Sequence, residues 1–516
     1  MSTVPESIPA RLQQMAIRQP DVAALVSPDL SLSYGQTWAA VMELAYELRK
    51  AGTMRLGLCG DNSPAWVIAD LACLLADVVC VPVPGFFSPT QTGHLIRSAG
   101  LDGLLWPDQG AAGSQRVKLS SFAWLEPLAA GHNPHSIPYI HAGTAKVTFT
   151  SGSTGSPKGV CLSARHLSAT TLALRDRLHG LGLARHASVL PLATLLENIA
   201  GVYLSLSMGA TIELLPLQML GMNGSSGLDA DQFIDQLRRV RPHSLILVPE
   251  LAAVLVNAAA GGALDGHRFR FLAVGGGRVP PALLDEARRL GLPLYEGYGL
   301  SECGSVVALS TPGNERPGSV GKPLGHLHVS VDGKGDGSGG EQGEIAVSGN
   351  SYLGYLGSAP PSDGLLQTGD LGRLDGDGYL YIEGRKKNLL ITSFGRNISP
   401  EWLESELCLA TGARQALVFG DGEPQPSAIL ALSQGGLPAC AARKVEIESV
   451  IRRLNATLPD YARLRRIYLL HQPLSHVQGY VTANGRLVRS RILEHLGLIL
   501  PDAQLLDLLQ REGLET

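Results

Sequence analysis

Apolar positions along the chain follow two spacings. In VIADLACLLADVV they recur at helical intervals, and the CVPVP that follows is a short run of the kind that forms a buried strand. Similar pairs recur, which predicts an α/β fold with largely parallel sheets. The pattern changes in SVGKPLGHLHVSVDGKGDGSGGEQGEIAVSG, where dense glycine separates brief β runs and predicts a small antiparallel or β-barrel-like subdomain. In YLYIEGRKKNLLITSFGRNISPEWLESEL a basic cluster separates two β runs, and a helix starts from Ser399 with Pro400 at its first position. A domain boundary falls here. The expectation is a large N-terminal domain over 1–383 and a small α+β domain over 384–516, the latter with strands such as ALVFG and helices such as KVEIESVIRRLNATL. The Gly/Ser tracts at 223–227 and 333–343 read as loops.

At 516 residues the chain is too long for a single hydrophobic core. Its 45% hydrophobic and 17% charged residues and net charge of -4 exclude a disordered chain and point away from nucleic acid as a partner. Seven scattered cysteines with no CxxC spacing give neither a disulfide framework nor a zinc knuckle, so a reducing compartment is expected. The N-terminal segment lacks the basic start and apolar core of a signal peptide. The most apolar stretches, 245–264 and 67–83, are broken by Pro249, Glu250 and Asn257 and by Asp70, Asp77 and Pro82, so they read as buried core rather than membrane spans. A cytoplasmic protein without membrane insertion is expected.

The sharpest chemical signal is the run from Thr148 to Val160, TFTSGSTGSPKGV, directly after an alternating apolar segment. Its glycines, Gly152 and Gly155, let backbone N–H groups approach a phosphate. Thr150, Ser151, Ser153 and Thr154 add hydroxyl donors, and Lys158 adds charge. It is not a Walker A loop, because glycine rather than Ser/Thr follows the lysine.

With STGSPKG the sequence resembles the adenylate-forming superfamily of acyl-CoA synthetases, nonribosomal peptide synthetase adenylation domains and firefly-type luciferases, and further motifs follow in the expected order. Tyr298-Gly299-Leu300-Ser301-Glu302 resembles the family's aromatic-Gly-x-Thr/Ser-Glu motif. The resemblance implies that Tyr298 stacks on adenine, Ser301 contacts the α-phosphate and Glu302 helps hold Mg²⁺, an ion that prefers carboxylate and phosphate oxygens. Gly275, Gly276 and Gly277 resemble the glycine segment that seats adenine. Asp370 and Arg385, fifteen residues apart, match the ribose-binding pair. Gly384 and Lys387 fall at the hinge about which relatives rotate a mobile lid domain between two half-reactions, and Gly395 falls in the loop that borders their thiol tunnel.

Two positions depart from the pattern. Arg486, in Asn484-Gly-Arg-Leu-Val-Arg489, occupies the place of the family's catalytic lysine. A planar fork replaces a point charge there, which implies slowed or retuned adenylation. Thr194, in LPLATLLEN, stands where relatives place His or an aromatic at the entrance of the acyl pocket. The segment 188–198 has no aspartate to hold an α-amino group, which disfavours an amino acid substrate. LPLATLLEN together with LLITSFGRNISPEWLE looks closest to fatty acyl-CoA synthetases. The expected reaction is ATP- and Mg²⁺-dependent formation of an acyl-AMP from a medium- or long-chain fatty acid, then transfer to coenzyme A. A phosphopantetheinylated carrier protein in trans, an amine acceptor and a non-catalytic nucleotide-binding homologue are the alternatives.

Overall fold

The computed structural model describes residues 7–107, 116–128, 139–150, 157–223, 227–332, 342–361, 364–393, 396–432, 441–470, 472–475, 478–482 and 485–508. The predicted helix is α1 (Pro64–Ala76), capped by the Ser63 side chain with Pro64 in its first turn. Two antiparallel strands follow, β1 (Thr144–Thr150) and β2 (Lys158–Ser163), in an eight-stranded sheet that also carries the short strand Gly354–Tyr355 beside β2.

A second, nine-stranded sheet holds β3 (Arg185–Ser188), β4 (Ser244–Leu247), β5 (Phe271–Val274) and β6 (Leu294–Tyr298) side by side, all parallel. Burial on both faces explains why β4 reads as the unbroken SLIL, with every residue buried. The helix α2 (Pro249–Ala260) starts from Val248 with Pro249 in its first turn, just past β4. One hydrophobic core runs between these two sheets, with Trp66, Tyr34, Phe233 and Phe271 among its fully buried large side chains. This is the predicted α/β arrangement.

The glycine-rich region forms a four-stranded antiparallel sheet that includes β7 (Leu366–Leu374) and β8 (Leu380–Arg385). The tract at 223–227 is bracketed by a small ladder pairing Met222 with Leu228, so its ends are β-paired rather than loop. The tract at 333–343 lies largely outside the described residues. The helix α3 (Pro400–Thr411) begins at Ser399 as predicted, although the Ser399 hydroxyl donates to Glu401 rather than capping the backbone. It packs with a mixed four-stranded sheet over separate hydrophobic cores drawn from residues 390–508. The result is the expected larger α/β body and smaller C-terminal α+β unit. Among the described residues no helix is long and apolar enough to cross a membrane.

Between β3 and β4 in the chain, Glu197–Tyr203 forms a π-helical turn, buried throughout. Such turns are rare and insert an extra residue into a helix, which re-aims its side chains. Here consecutive residues point to opposite polar networks. Asn198 and Tyr203 join Asp70 of α1 and Lys146 of β1: the ammonium lies 2.7 Å from Asp70 Oδ1 and donates to Asn198 Oδ1 at 2.5 Å and Tyr203 Oη at 2.9 Å. Asn198 Nδ2 and the Tyr203 hydroxyl both donate to Asp70 Oδ2, at 2.9 and 2.6 Å. A buried ion pair persists only with such satisfaction, because each charge left alone would cost several kcal/mol.

Candidate active site

The C-terminal ends of β4, β5 and β6 open onto a cleft of about 3470 Å³, bounded on the far side by β7, β8 and the C-terminal unit. Ligands of open α/β sheets bind at these strand ends. At its centre Asp370, 4% exposed, is held from two sides. Arg385, its register partner across β7 and β8, places Nε 2.7 Å from Oδ1. The Tyr298 hydroxyl, from the end of β6, donates to Oδ2 at 2.6 Å. Burial raises the Asp370 carboxyl above its usual value, with Arg385 pulling the other way, and burial also raises the Tyr298 phenol.

The glycines are there for space. Gly276 has φ 78°, a left-handed conformation that penalises any Cβ. A Cβ at Gly299 would overlap the Ser305 carbonyl. Ser301 and Glu302 sit on a single 3₁₀ turn immediately beyond. Glu302 Oε1 accepts from the Tyr355 hydroxyl at 2.8 Å, and Lys158 Nζ lies 5.4 Å from the centre of the Tyr355 ring. Tyr355 thus brings the carboxylate and the ammonium to one spot, with its phenol raised by burial and by Glu302. Thr150 and Lys158 are register partners at the facing ends of β1 and β2.

Cations gather around this spot. Lys387, on the 3₁₀ turn after β8, is pushed below the usual lysine value by partial burial, then by Arg385, with Lys158 adding to the repulsion. Arg486 reaches in from the C-terminal unit and donates through Nη2 to the Gly276 carbonyl. The structure therefore brings Lys158, Gly275, Gly276, Gly277, Tyr298, Gly299, Ser301, Glu302, Asp370, Arg385, Lys387 and Arg486 to one cleft. Gly384 lies near the end of β8, where a Cβ would overlap the Ser399 hydroxyl. Thr194 lines the same cleft on the Leu190–Leu196 wall, and its hydroxyl donates to the Pro191 carbonyl at 2.6 Å. Ser151, Gly152, Ser153, Thr154, Gly155 and Gly395 lie outside the described residues.

Sequence reasoning passed over Tyr355 and Glu296. Glu296 lines the cleft from β6; burial raises its carboxyl to about 7, while Arg278 opposes the shift. The signal was a charged residue two positions before Tyr298 within a parallel strand, where a carboxylate is costly. The Lys146–Asp70 network left a similar trace, a lone charge in each of two apolar segments.

A single Mg²⁺ fits this donor set. Among the described residues no three His, Cys, Asp or Glu side chains cluster to cage a metal. Mg²⁺ is ordinarily held by one or two carboxylates and substrate phosphates, and Glu302, with one oxygen engaged by Tyr355, keeps lone pairs for a cation.

A parallel-sheet cleft closed by a smaller C-terminal unit is the architecture of adenylate-forming enzymes. The chain belongs to the AMP-binding enzyme family: the family model matches residues 12–356, and the AMP-binding enzyme C-terminal domain model matches residues 387–497. Among curated relatives, the 2-succinylbenzoate–CoA ligase of Bacillus licheniformis is 29% identical, over 80% of this chain and 86% of its own length. The indoleacetate–CoA ligase of Aromatoleum aromaticum is 30% identical, over 78% of this chain and 82% of its own. The solved structure of the O-succinylbenzoate coenzyme A synthetase from Bacillus subtilis in complex with AMP shares the fold, with a TM-score of 0.72 at 24% identity over 93% of this chain and 97% of that one.

Proposed function

We propose that this protein is an AMP-forming carboxylate–CoA ligase. It joins an apolar carboxylic acid to AMP with release of pyrophosphate, then transfers the acyl group to the thiol of coenzyme A. One observation carries the reading: four cations (Lys158, Arg385, Lys387 and Arg486), the Glu302 carboxylate and the Asp370–Tyr298 pair converge on one cleft beside the Gly275–Gly277 segment. Triphosphate, metal and ribose diol each need one of these groups.

In this reading the ribose hydroxyls donate to Asp370, whose orientation Arg385 and Tyr298 hold. Adenine lies along Gly275–Gly277 beside Tyr298. Lys158, Lys387, Ser301 and Arg486 face the phosphates and stabilise the charge that develops as the carboxylate oxygen attacks the α-phosphorus and the bond to pyrophosphate breaks. Glu302 would hold Mg²⁺, which supplies charge neutralisation on the triphosphate. In the second step a thiolate attacks the acyl carbon and AMP leaves. We assign residues 1–383 and 384–516 to two domains, with Gly384 to Lys387 as the hinge between orientations serving the two steps.

The acyl body is apolar, since Leu190, Leu192, Leu195, Ala200 and Leu204 line one wall. The sequence led us to expect a fatty acid. The two curated relatives are named for acids that carry an aromatic ring, which favours an aryl-bearing acid at least equally. Pyrophosphate release across fatty, aryl and amino acids, with and without coenzyme A, tests the reading. Carboxylate-dependent release, with thioester appearing only when coenzyme A is added, is the expected result. ATP binding without release from any acid overturns it.

A further inference from the structure

The apolar wall of the cleft runs on well past the glycine segment. Leu196, Ala200, Leu204 and Met208, at intervals of four along the π turn and the helix Leu204–Met208 that continues it, all line the cavity. That spacing puts them on one face, and their twelve positions cover roughly 18 Å at 1.5 Å per residue. The sheet supplies a second wall. Val248, Ile246 and Ser244, at intervals of two, carry it from just past the C-terminal end of β4 down to the first residue of that strand, roughly 13 Å. Phe271, the first residue of β5, and Leu183, two residues before β3, line the same cavity. The cleft therefore spans the height of the sheet.

Two polar side chains on this wall do not interrupt it. His186 and Ser244 are register partners with Nδ1 3.1 Å from Oγ, and His186 Nε2 lies 2.9 Å from Glu197 Oε1. Gly201 leaves room for the second contact, since a Cβ there would overlap Glu197 Oε1. These bonds are made within the wall, so an alkyl chain beside them leaves no polar group newly unpaired.

One side chain stands at the far end. Beyond Met208 lies a surface recess of about 390 Å³, walled by Arg11, Arg175, Asp176, His179 and Ser207. Arg11 Nε donates to the Ser207 carbonyl at 3.0 Å. Among the described residues Met208 alone lines both the cavity and the recess. Leucines precede it and charged side chains follow it, so the apolar path ends at its thioether.

We infer that the acyl pocket is a channel crossing the sheet, that Met208 closes it and sets the longest chain accepted, and that the substrate is a long-chain alkanoic acid. An extended chain advances roughly 1.2 Å per bond, one third of the span of a three-bond residue, so walls of roughly 13 to 18 Å hold on the order of 10 to 15 bonds. A compact aryl acid fills only the upper part. The inference rests on the ligase reading for the identity of the pocket.

Equilibrium binding of radiolabelled saturated alkanoates, hexanoate to octadecanoate, to the full chain tests this, with pyrophosphate release followed on the same acids and on arylacetates. Affinity should rise roughly 2- to 4-fold per methylene, the worth of moving each out of water, and level off at a chain of about 10 to 15 bonds. Met208→Ala should move that ceiling up by as much as about three methylenes, matching the three heavy atoms lost beyond Cβ. Met208→Trp should move it down, and Ala200→Phe, eight positions nearer the glycine segment, should bring it lower still. Thermal unfolding checks that each variant is folded. An affinity that stops rising at hexanoate, a ceiling that ignores both Met208 variants, or failure of every alkanoate to bind overturns the inference. Pyrophosphate release from arylacetates with no alkanoate ceiling removes this inference and leaves the ligase reading standing. A Met208-dependent ceiling without pyrophosphate release from any acid does the reverse.

Discussion

The guanidinium of Arg486 donates to the main-chain carbonyl of Gly276, joining the C-terminal unit to the glycine segment across 210 positions of sequence. Arg486 itself sits on a tight turn in which its own N–H donates to Thr482 Oγ1 at 3.0 Å and its carbonyl accepts from the Thr482 N–H at 2.7 Å. The side chain is thus aimed by its local backbone. A lysine at this position would present three donors on a flexible stem in place of the guanidinium fork.

Arg486→Ala should therefore lower carboxylate-dependent pyrophosphate release by roughly 10²–10³, the usual loss for a donor aimed at developing charge. Thioester formation from a supplied acyl-adenylate should change far less. Arg486→Lys should retain most of the first step. Measuring the two half-reactions separately checks all three statements, and equal loss in both steps for Arg486→Ala would count against a role confined to adenylation.

Asp370 receives a charge-assisted pair from Arg385 and a phenolic hydrogen bond from Tyr298. Asp370→Ala should raise the KM for ATP by roughly 10- to 100-fold, the range for hydrogen bonds to a charged group. Tyr298→Phe keeps the ring and one of the two supports, so the rise should be several-fold at most. Steady-state kinetics in ATP, with the acid saturating, separates these outcomes.

Glu296 gives stability a pH dependence whose sign follows from its environment. Burial raises its folded-state carboxyl to about 7, so between the unfolded value near 4.5 and that point the native state holds a proton that the unfolded chain has lost. Stability contributed by this group is present below the lower value, falls as pH rises through the window, and is flat above it. Glu296→Gln should remove the slope and make the protein more stable at pH 8 by about 3 kcal/mol, from a rise of about 2.5 pKa units between 4.5 and 7 at about 1.4 kcal/mol per pKa unit. Urea unfolding of both proteins across the window measures it; parallel curves would refute the assignment.

Lys146→Met leaves Asp70 buried beside an apolar side chain and should cost about 3–5 kcal/mol in urea unfolding. Replacing both partners, Lys146→Met with Asp70→Leu, removes the orphaned charge and should recover much of that loss. A double variant no more stable than the single one would show that Asn198 and Tyr203 need the ion pair to stay satisfied.

The sequence by itself determined the elements and most of the site's chemistry. Helical and alternating spacings placed α1 and β1, because local periodicity reflects which face of each element is buried, and the Ser399-Pro400 start placed α3. The ordered motifs named Lys158, Tyr298, Glu302, Asp370, Arg385 and Arg486, because residue types needed near phosphate, ribose and metal stay recognisable wherever they stand in the chain. Tertiary structure decided what those residues touch. Nothing local could reveal that the Tyr298 hydroxyl is bound to Asp370, that Tyr355 links Glu302 to Lys158, or that Glu197 and Asn198, adjacent in sequence, serve opposite networks. Those relationships depend on strand register between distant segments and on a π turn whose extra residue leaves no periodic trace. The charges at Asp70 and Lys146 announced that partners were needed, since a buried charge cannot stand alone, and only the fold supplied them.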